Sequence, residues 1–227
     1  MECIDCKSKC NKLFAKLTKA ELEILNNKKV CFSATKGTML YLQNSLSTNI
    51  YCLHSGVVKL FVNVGNGNEQ IMRMMRADEV FGFGAISASG RENVNAIVYE
   101  NAQICSIDIE VFNSLAAKNA SLYKNLYELY YEDQNSSHKA ILFYTQYPVK
   151  QRVAYLVYHA YKKFGIDTNG YVNIQVKRNE FANLVGTATE SLIRHLAEFR
   201  DEGVLKTKGR FVRILDLEKL KAYLAIR

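Results

Sequence analysis

The chain has 227 residues, 48% hydrophobic and 23% charged, with a formal net charge of +8. That is ordinary globular composition with room for two domains, and no apolar run is long enough to span a bilayer, which excludes a membrane-spanning helix. Residues 148–213 hold 12 Lys and Arg against 6 Asp and Glu, a net +6, while the first 147 hold 15 against 14, so the positive excess sits where it would attract phosphates in the last third.

Residues 1–17 read as a polar, Cys- and Lys-bearing lead-in, and the N-terminus MECIDCKSKC lacks the apolar segment of an export signal. Six cysteines without such a signal point to a reducing cytoplasm rather than a disulfide framework. Thr18-Lys19-Ala20-Glu21 is a capping box ahead of Leu22, Ile24 and Leu25, which predicts a short helix. Beyond it, Met39–Leu42, Ile50–Leu53, Val57–Val64, Gln70–Met74, Asn95–Val98 and Gln103–Ile107 alternate with turn residues, and Asn66-Gly67 predicts a type I′ hairpin. Many short strands at this spacing predict a β-sandwich or β-roll over residues 18–115.

From Ile109 to Tyr144 the pattern is helical. Leu122, Leu126, Leu129, Asp133, Ser136, Ala140 and Phe143 recur at alternating steps of four and three, an a/d seam with Tyr123, Tyr127, Tyr130 and Tyr131 beside it. Such a seam wants a partner helix, either a two-fold copy of itself or its own domain, and polar Asp133 and Ser136 suit a register-setting dimer interface. Residues 116–147 are therefore read as dimerisation helix and hinge. Pro148, the single proline, stops that helix and opens the next, Val149–Lys163. Tyr171–Val176 alternates as a strand does, and Asp216–Leu224 reads as a closing helix.

Between these, Phe181, Leu184 and Val185 give one short helix its inward face, and Gly186 ends it in a conformation that glycine adopts cheaply. Thr187-Ala188-Thr189-Glu190 is a second capping box, and Leu192, Leu196 and Phe199 form the buried stripe of a second helix. A basic hairpin turning at Lys208-Gly209-Arg210 follows. Helix, tight turn, helix and charged wing is the pattern that presents one helix to the major groove of DNA. The outward face carries Thr189, Glu190, Ile193, Arg194 and Ala197. An exposed Arg194 can grip guanine with two hydrogen bonds, and Glu190 can accept from cytosine; alternatively Glu190 closes the capping box or pairs with Arg194 along the surface. Thr189, Glu190, Ile193 and Arg194 are the expected base contacts. Lys177, Arg178, His195, Lys206, Lys208 and Arg210 are the expected phosphate contacts, which position without specifying.

With these residues in hand, the chain resembles a Crp/Fnr-type transcription regulator over nearly its whole length. ANLVGTATESLIRHLAEFRDEGVLKTKGRFVRILDLEKL is similar to that family's C-terminal signature. Lys36-Gly37, Ser55-Gly56-Val57-Val58-Lys59 and Phe81-Gly82 resemble its cyclic-nucleotide-binding roll. The resemblance implies an α+β chain: an N-terminal double-stranded β-roll (cNMP-binding-like), a long dimerisation helix and a C-terminal winged helix-turn-helix over residues 148–227. It also implies a cytoplasmic homodimer on a near-palindromic double-stranded DNA site, gated by an effector in the roll, with RNA polymerase as a further partner and no membrane.

Departures from the family pattern qualify that expectation. The reader motif Arg-Glu-x-x-x-Arg becomes Thr189-Glu190-Ser191-Leu192-Ile193-Arg194, so the half-site should differ, and Asn179 is a better cap than Lys177 for the first reader helix. Phe83 stands where the ribose-binding Glu belongs, and Val94-Asn95-Ala96 replaces the triplet that carries the phosphate-binding Arg. A cyclic phosphate without that Arg is poorly compensated, so cyclic AMP is disfavoured. The resemblance places an effector pocket at Arg73, Phe81, Gly82, Phe83, Gly84, Ala85, Arg91 and Asn95.

Cys3-x2-Cys6-x3-Cys10 has cluster-like spacing. In the family's oxygen-sensing branch three such cysteines and one from the roll, at a position resembling Cys105, hold an iron–sulfur cluster. Four thiolates suit that cluster or zinc; the other readings are a thiol redox switch and a plain tail. Cys31 and Cys52 fall in apolar runs and read as core. An enzyme on the roll would need clustered His and carboxylate metal ligands, and no His-x-His occurs; no Gly-Lys-Ser/Thr follows Gly82-Phe83-Gly84 to make a phosphate loop. The expected function is regulatory, with an oxygen- or redox-sensing variant as the alternative.

Overall fold

The computed structural model describes residues 11–65 and 69–224, and Asn66-Gly67, Cys3, Cys6 and Cys10 lie outside them. Two units divide the chain, Met1–Asn135 and Ser136–Arg227.

In the first unit, helices α1 (Asn11–Phe14) and α2 (Lys19–Lys28) precede strands β1 (Val30–Ala34), β2 (Met39–Tyr41), β3 (Asn49–Asn63), β4 (Glu69–Arg76), β5 (Val80–Phe81) and β6 (Asn95–Asp108), with a 3-10 turn at Phe83–Ile86. The strands make one six-stranded sheet in the order β1-β6-β3-β4, with β2 on β6 and β5 on β3. The expected runs Ile50–Leu53 and Val57–Val64 are halves of β3, and Asn95–Val98 and Gln103–Ile107 are halves of β6. Register shifts near Ser55 bend β3 against β6. Gly56 sits at the bend with φ +88°, where an added Cβ would come 2.3 Å from the Asn101 carbonyl oxygen, so glycine is required there.

Period-two alternation serves two cores. Ile50, Cys52, Cys105 and Ile107 point into a cluster under the helices with Leu13, Leu25, Phe112 and Leu115. Leu53, Ala102 and Ile104 point into the opposite cluster with Val58, Met75 and Phe81. Successive side chains on opposite faces explain why these strands read as almost continuously apolar. The lead-in is not wholly polar: Leu13 is fully buried and Phe14 and Leu17 nearly so. The Thr18 box forms as expected, Thr18 N–H donating to Glu21 Oε2 at 2.8 Å and Glu21 N–H to Thr18 Oγ1 at 3.3 Å. The bond from the Thr18 N–H, with one from the Asn119 side chain, holds the Glu21 carboxyl below its ordinary pKa.

Cys31 is exposed rather than core. It lies opposite Cys105 in the β1–β6 pairing and is joined to it by a disulfide, so Cys105 is not a ready metal ligand. Among the described residues no group of three or more His, Cys, Asp or Glu could hold a metal.

The helical stretch after the sheet is two helices, α3 (Ile109–Lys118) and α4 (Ser121–Gln146). On α4 the expected dimer seam is turned inward in its first half. Leu122 is 1% exposed, and Leu126 and Leu129 pack on the same core cluster. Asp133 forms an ion pair with Arg73 of β4. Further along, Ser136 is exposed and Ala140 half-buried, while Phe143 stacks on Tyr147 and Tyr155 at 4.4 and 3.9 Å between ring centres. Tyr123, Tyr127, Tyr130 and Ile141 face outward at 46–64% exposure, so the uncovered face of α4 lies one residue along from the seam that the periodicity selects.

The second unit continues with α5 (Val149–Phe164), α6 (Arg178–Val185), α7 (Thr189–Asp201), the hairpin β7 (Leu205–Lys208) and β8 (Phe211–Ile214), and α8 (Leu217–Ala222). Pro148 is the N-cap of α5. Residues 171–176 form no strand: a single bridge joins Val172 to Ile166, and Val172, Ile174 and Val176 alternate inward as an irregular extended segment.

Candidate nucleic-acid interface

Two short helices at a glycine corner build the site. Gly186 closes α6 with φ +67°; its N–H donates to Asn183 O and that of Thr187 to Ala182 O at 3.0 Å, a Schellman turn. The turn takes one more residue than the sequence pattern allowed. Ala188 becomes the N-cap of α7 with no side-chain hydrogen bond, and the expected Thr187 capping box does not form. The other N-cap also differs: α6 starts at Arg178 behind Lys177, whose N–H donates to Glu180 Oε2 at 3.3 Å, and Asn179 lies inside the helix.

Leu192, Leu196 and Phe199 bury the inner face of α7 against Val153, Ala154, Phe181 and Val185. On the outer face Glu190 and Ile193 are exposed and Thr189 and Ala197 half-buried. Arg194 keeps 68% of its side-chain surface, and its neighbouring carboxylate is Glu198, at 4.0 Å, not Glu190. The four expected base contacts therefore share one outward strip.

The expected phosphate contacts divide. Lys177, Lys206, Lys208 and Arg210 are exposed. His195 is turned away: its side chain is 14% exposed, with Nδ1 3.1 Å from Glu198 Oε2. Arg178 donates to Gly209 O at 2.6 Å, tying α6 to the wing turn, and burial lowers its pKa. Both have protein partners.

Sequence reasoning also passed over the residues behind the reader. Lys150 Nζ lies 2.6 Å from Glu202 and 3.4 Å from Glu198 and sits over the rings of Phe199 and Tyr223, gripping the back of α7 from the start of α5. The hydrogen bond to Glu202 raises the lysine's pKa, and those from His195 and Lys150 lower the carboxyls of Glu198 and Glu202 respectively. Pairs five or more places apart leave no local signature in sequence.

The expected effector pocket is not assembled as a phosphate site. Phe81 is buried and stacks on Tyr51 at 5.3 Å, with Tyr41 at 6.2 Å. An added Cβ on Gly82 would come 2.7 Å from the Tyr51 ring, and one on Gly84 2.6 Å from Arg91 O. Phe83 packs on the opposite core, and Ala85 is half-buried. Asn95 accepts from Gln43 N–H and donates to Phe61 O. Arg91 is exposed and donates to Asn44 O at 2.6 Å, and Arg73 is held by Asp133. The charged group inside is Glu92, 3% exposed, which accepts from Ser47 Oγ and the Gly84 N–H. Burial pushes its carboxyl up, and its field and their own burial do the same to Tyr41 and Tyr51. A cyclic phosphate entering here would meet a carboxylate instead of an arginine, so these residues do not fit that ligand.

Residues 151–223 match the model of the Crp-like helix-turn-helix domain and residues 32–119 that of the cyclic nucleotide-binding domain. The fumarate and nitrate reduction regulatory protein of Salmonella typhimurium is 25% identical over 190 residues, 82% of this chain and 75% of that protein. The anaerobic regulatory protein of Haemophilus influenzae is 25% identical over 188 residues, 82% of this chain and 72% of that one. Among solved structures, FixK2 from Bradyrhizobium japonicum superposes with a TM-score of 0.79 at 16% identity, covering 88% of this chain and 98% of its own. The c-di-GMP responsive regulator CLP of Xanthomonas campestris gives 0.74 at 16% identity, covering 88% and 100%.

Proposed function

The chain belongs to the Crp/Fnr family of DNA-binding transcription regulators, which are not enzymes, and from that premise we propose a homodimer that lays α7 of each copy in the major groove of a near-palindromic site. One observation carries the reading: Glu190, Ile193 and Arg194, with half-buried Thr189, face outward on a helix whose other face is core, and Lys177, Lys206, Lys208 and Arg210 are exposed in the same domain. Arg194 and Glu190 supply base-specific hydrogen bonds, and the four cations supply phosphate contacts. The copies pair along the outward face of α4, where Tyr123, Tyr127, Tyr130 and Ile141 repeat at near-heptad spacing with Gln134 and Ser137 between them. The protein works in the cytoplasm alongside RNA polymerase, and cyclic AMP is disfavoured as its effector.

Selection of bound fragments from genomic DNA by the purified protein tests this. The expected product is an inverted repeat of one half-site. Arg194→Ala should abolish preference for it, worth about 1–3 kcal/mol per lost base contact, while weak salt-sensitive binding persists. An unchanged preference in that variant would refute base reading by Arg194.

A second reading, an oxygen or redox sensor, has one placement in its favour. Leu13 and Phe14 of α1, which follow directly on the Cys3-x2-Cys6-x3-Cys10 stretch, pack in the same core cluster as Cys105. It requires the Cys31–Cys105 bond to be open. Iron and sulfide assay of protein prepared without oxygen tests it, and absence of both removes it.

A further inference from the structure

The last four carbonyls of α6 are each satisfied, and from two different directions. Ala182 O accepts from the Thr187 N–H and Asn183 O from the Gly186 N–H, within the turn itself. Leu184 O accepts from the Tyr144 hydroxyl at 2.6 Å. Val185 O accepts from Arg152 Nη1 at 3.2 Å, and the same nitrogen donates to Gly186 O at 3.1 Å. Helix ends leave such carbonyls to water or side chains. Here the outer two are taken by side chains lying four residues before and four after Pro148, one on the end of α4 and one on α5.

The same two side chains enclose the glycine corner. An added Cβ on Gly186 would come 3.4 Å from Arg152 Nη1 and 3.6 Å from Tyr144 Cδ1. The Arg152 Nε is buried without an acceptor, so this guanidinium is committed to backbone carbonyls and not to a carboxylate. Burial raises the pKa of the Tyr144 hydroxyl, so it remains a donor. Phe143, the neighbour of Tyr144, stacks on Tyr155 of α5 at 3.9 Å. The end of α4, the start of α5 and the corner of the reader are thus bonded together, three residues ahead of Thr189 where α7 begins.

We propose that Tyr144 and Arg152 are positioning residues that lock the reader corner to the end of α4, and so fix which spacing between the two half-sites the protein accepts. This rests on the dimeric reading above. Neither residue touches DNA in that arrangement; each acts through the orientation of α7. A rigid connection gives a narrow choice of spacing, and a loosened one spreads it.

The test uses the full chain and a DNA pool in which two copies of the wild-type half-site are separated by spacers of varied length. Wild type should enrich one spacer. Tyr144→Phe, which removes one oxygen and almost no volume, should cut the preference for that spacer over its one-base-pair neighbours by about threefold, and Tyr144→Phe with Arg152→Lys by about tenfold, the scale of one and two lost hydrogen bonds. Base preference within a half-site, and affinity for an isolated half-site, should stay as in wild type, which a general loss of packing would not allow. Folded variants that keep the wild-type spacer preference overturn the clamp and leave the dimer standing. A wild type that accepts all spacers equally overturns both.

Discussion

Arg194 and His195 are neighbours in the sequence, yet one keeps 68% of its side-chain surface and the other 14%. A helix turns about 100° per residue, so adjacent positions belong to different faces, and the Glu198 carboxylate captures the imidazole on the inner side. Lys208, exposed at the wing tip, has no such restraint. Lys208→Gln should weaken binding to all DNA sequences alike and reduce the salt slope of affinity by about one, whereas His195→Gln should leave the slope unchanged; titrations at several salt concentrations separate them, and equal slopes for the two variants would return His195 to the interface.

Glu92 makes the same point inside the roll. Its carboxyl is raised above the ordinary value of 4.5, burial being the largest cause. A raised acid contributes stability that is complete below its unfolded pKa and lost as pH rises through the folded one. Urea midpoints measured from pH 5 to pH 8 should therefore fall for wild type relative to Glu92→Gln, which carries no titrating carboxyl. A constant difference across that range would mean that Glu92 is not desolvated. Arg91 and Glu92 are adjacent, and composition alone would have made either the interior charge. Bending of the chain at Gly90 and the hydrogen bond from Ser47 put the acid inside.

Among elements, α1 carries a lesson in short patterns. Leu13, Phe14 and Leu17 are a brief apolar group in a lysine-rich segment, too short for periodicity to register, yet Leu13 is fully buried with Phe112 and Leu115. Leu13→Ala should cost about 2–5 kcal/mol of stability in denaturant unfolding, and a loss within experimental error would show that α1 is not part of the core. The Thr18 box and the Gly186 corner were legible because their signals are local, a hydroxyl three residues from a carboxylate and a glycine at a positive φ. The Thr187 box failed for a related reason: the Schellman turn uses the Thr187 N–H itself, which shifts the start of α7 by one residue. Of the candidate site, the exposed strip on α7 was legible. The Lys150 pairings and the two donors to the end of α6 were not, because their partners lie 33–52 residues away.

For the molecule as a whole, the proposed pairing of copies rests on α4. Heptad spacing identifies residues that share a stripe, but two stripes one residue apart run along this helix, and tertiary packing assigns the first half of one to the chain's own core. The outward stripe carries three tyrosines and Ile141. Tyr130→Asp with Ile141→Asp should convert a dimer to a monomer in light scattering and reduce affinity for the full repeat more than tenfold, since linked half-sites bind with the benefit of effective concentration; a dimer surviving both changes would move the interface elsewhere.

The sequence by itself determined the class of fold, the glycine corner and the outer face of α7, because each depends on residues a few places apart whose geometry the backbone fixes. Only the tertiary structure decided that the first half of the α4 seam is interior, that His195 and Arg178 meet protein partners, that Cys31 meets Cys105 and that a carboxylate occupies the roll. Those outcomes depend on which distant surface removes a side chain from water, and that is settled when the sheet folds over and the helices pack on it, not by spacing along the chain.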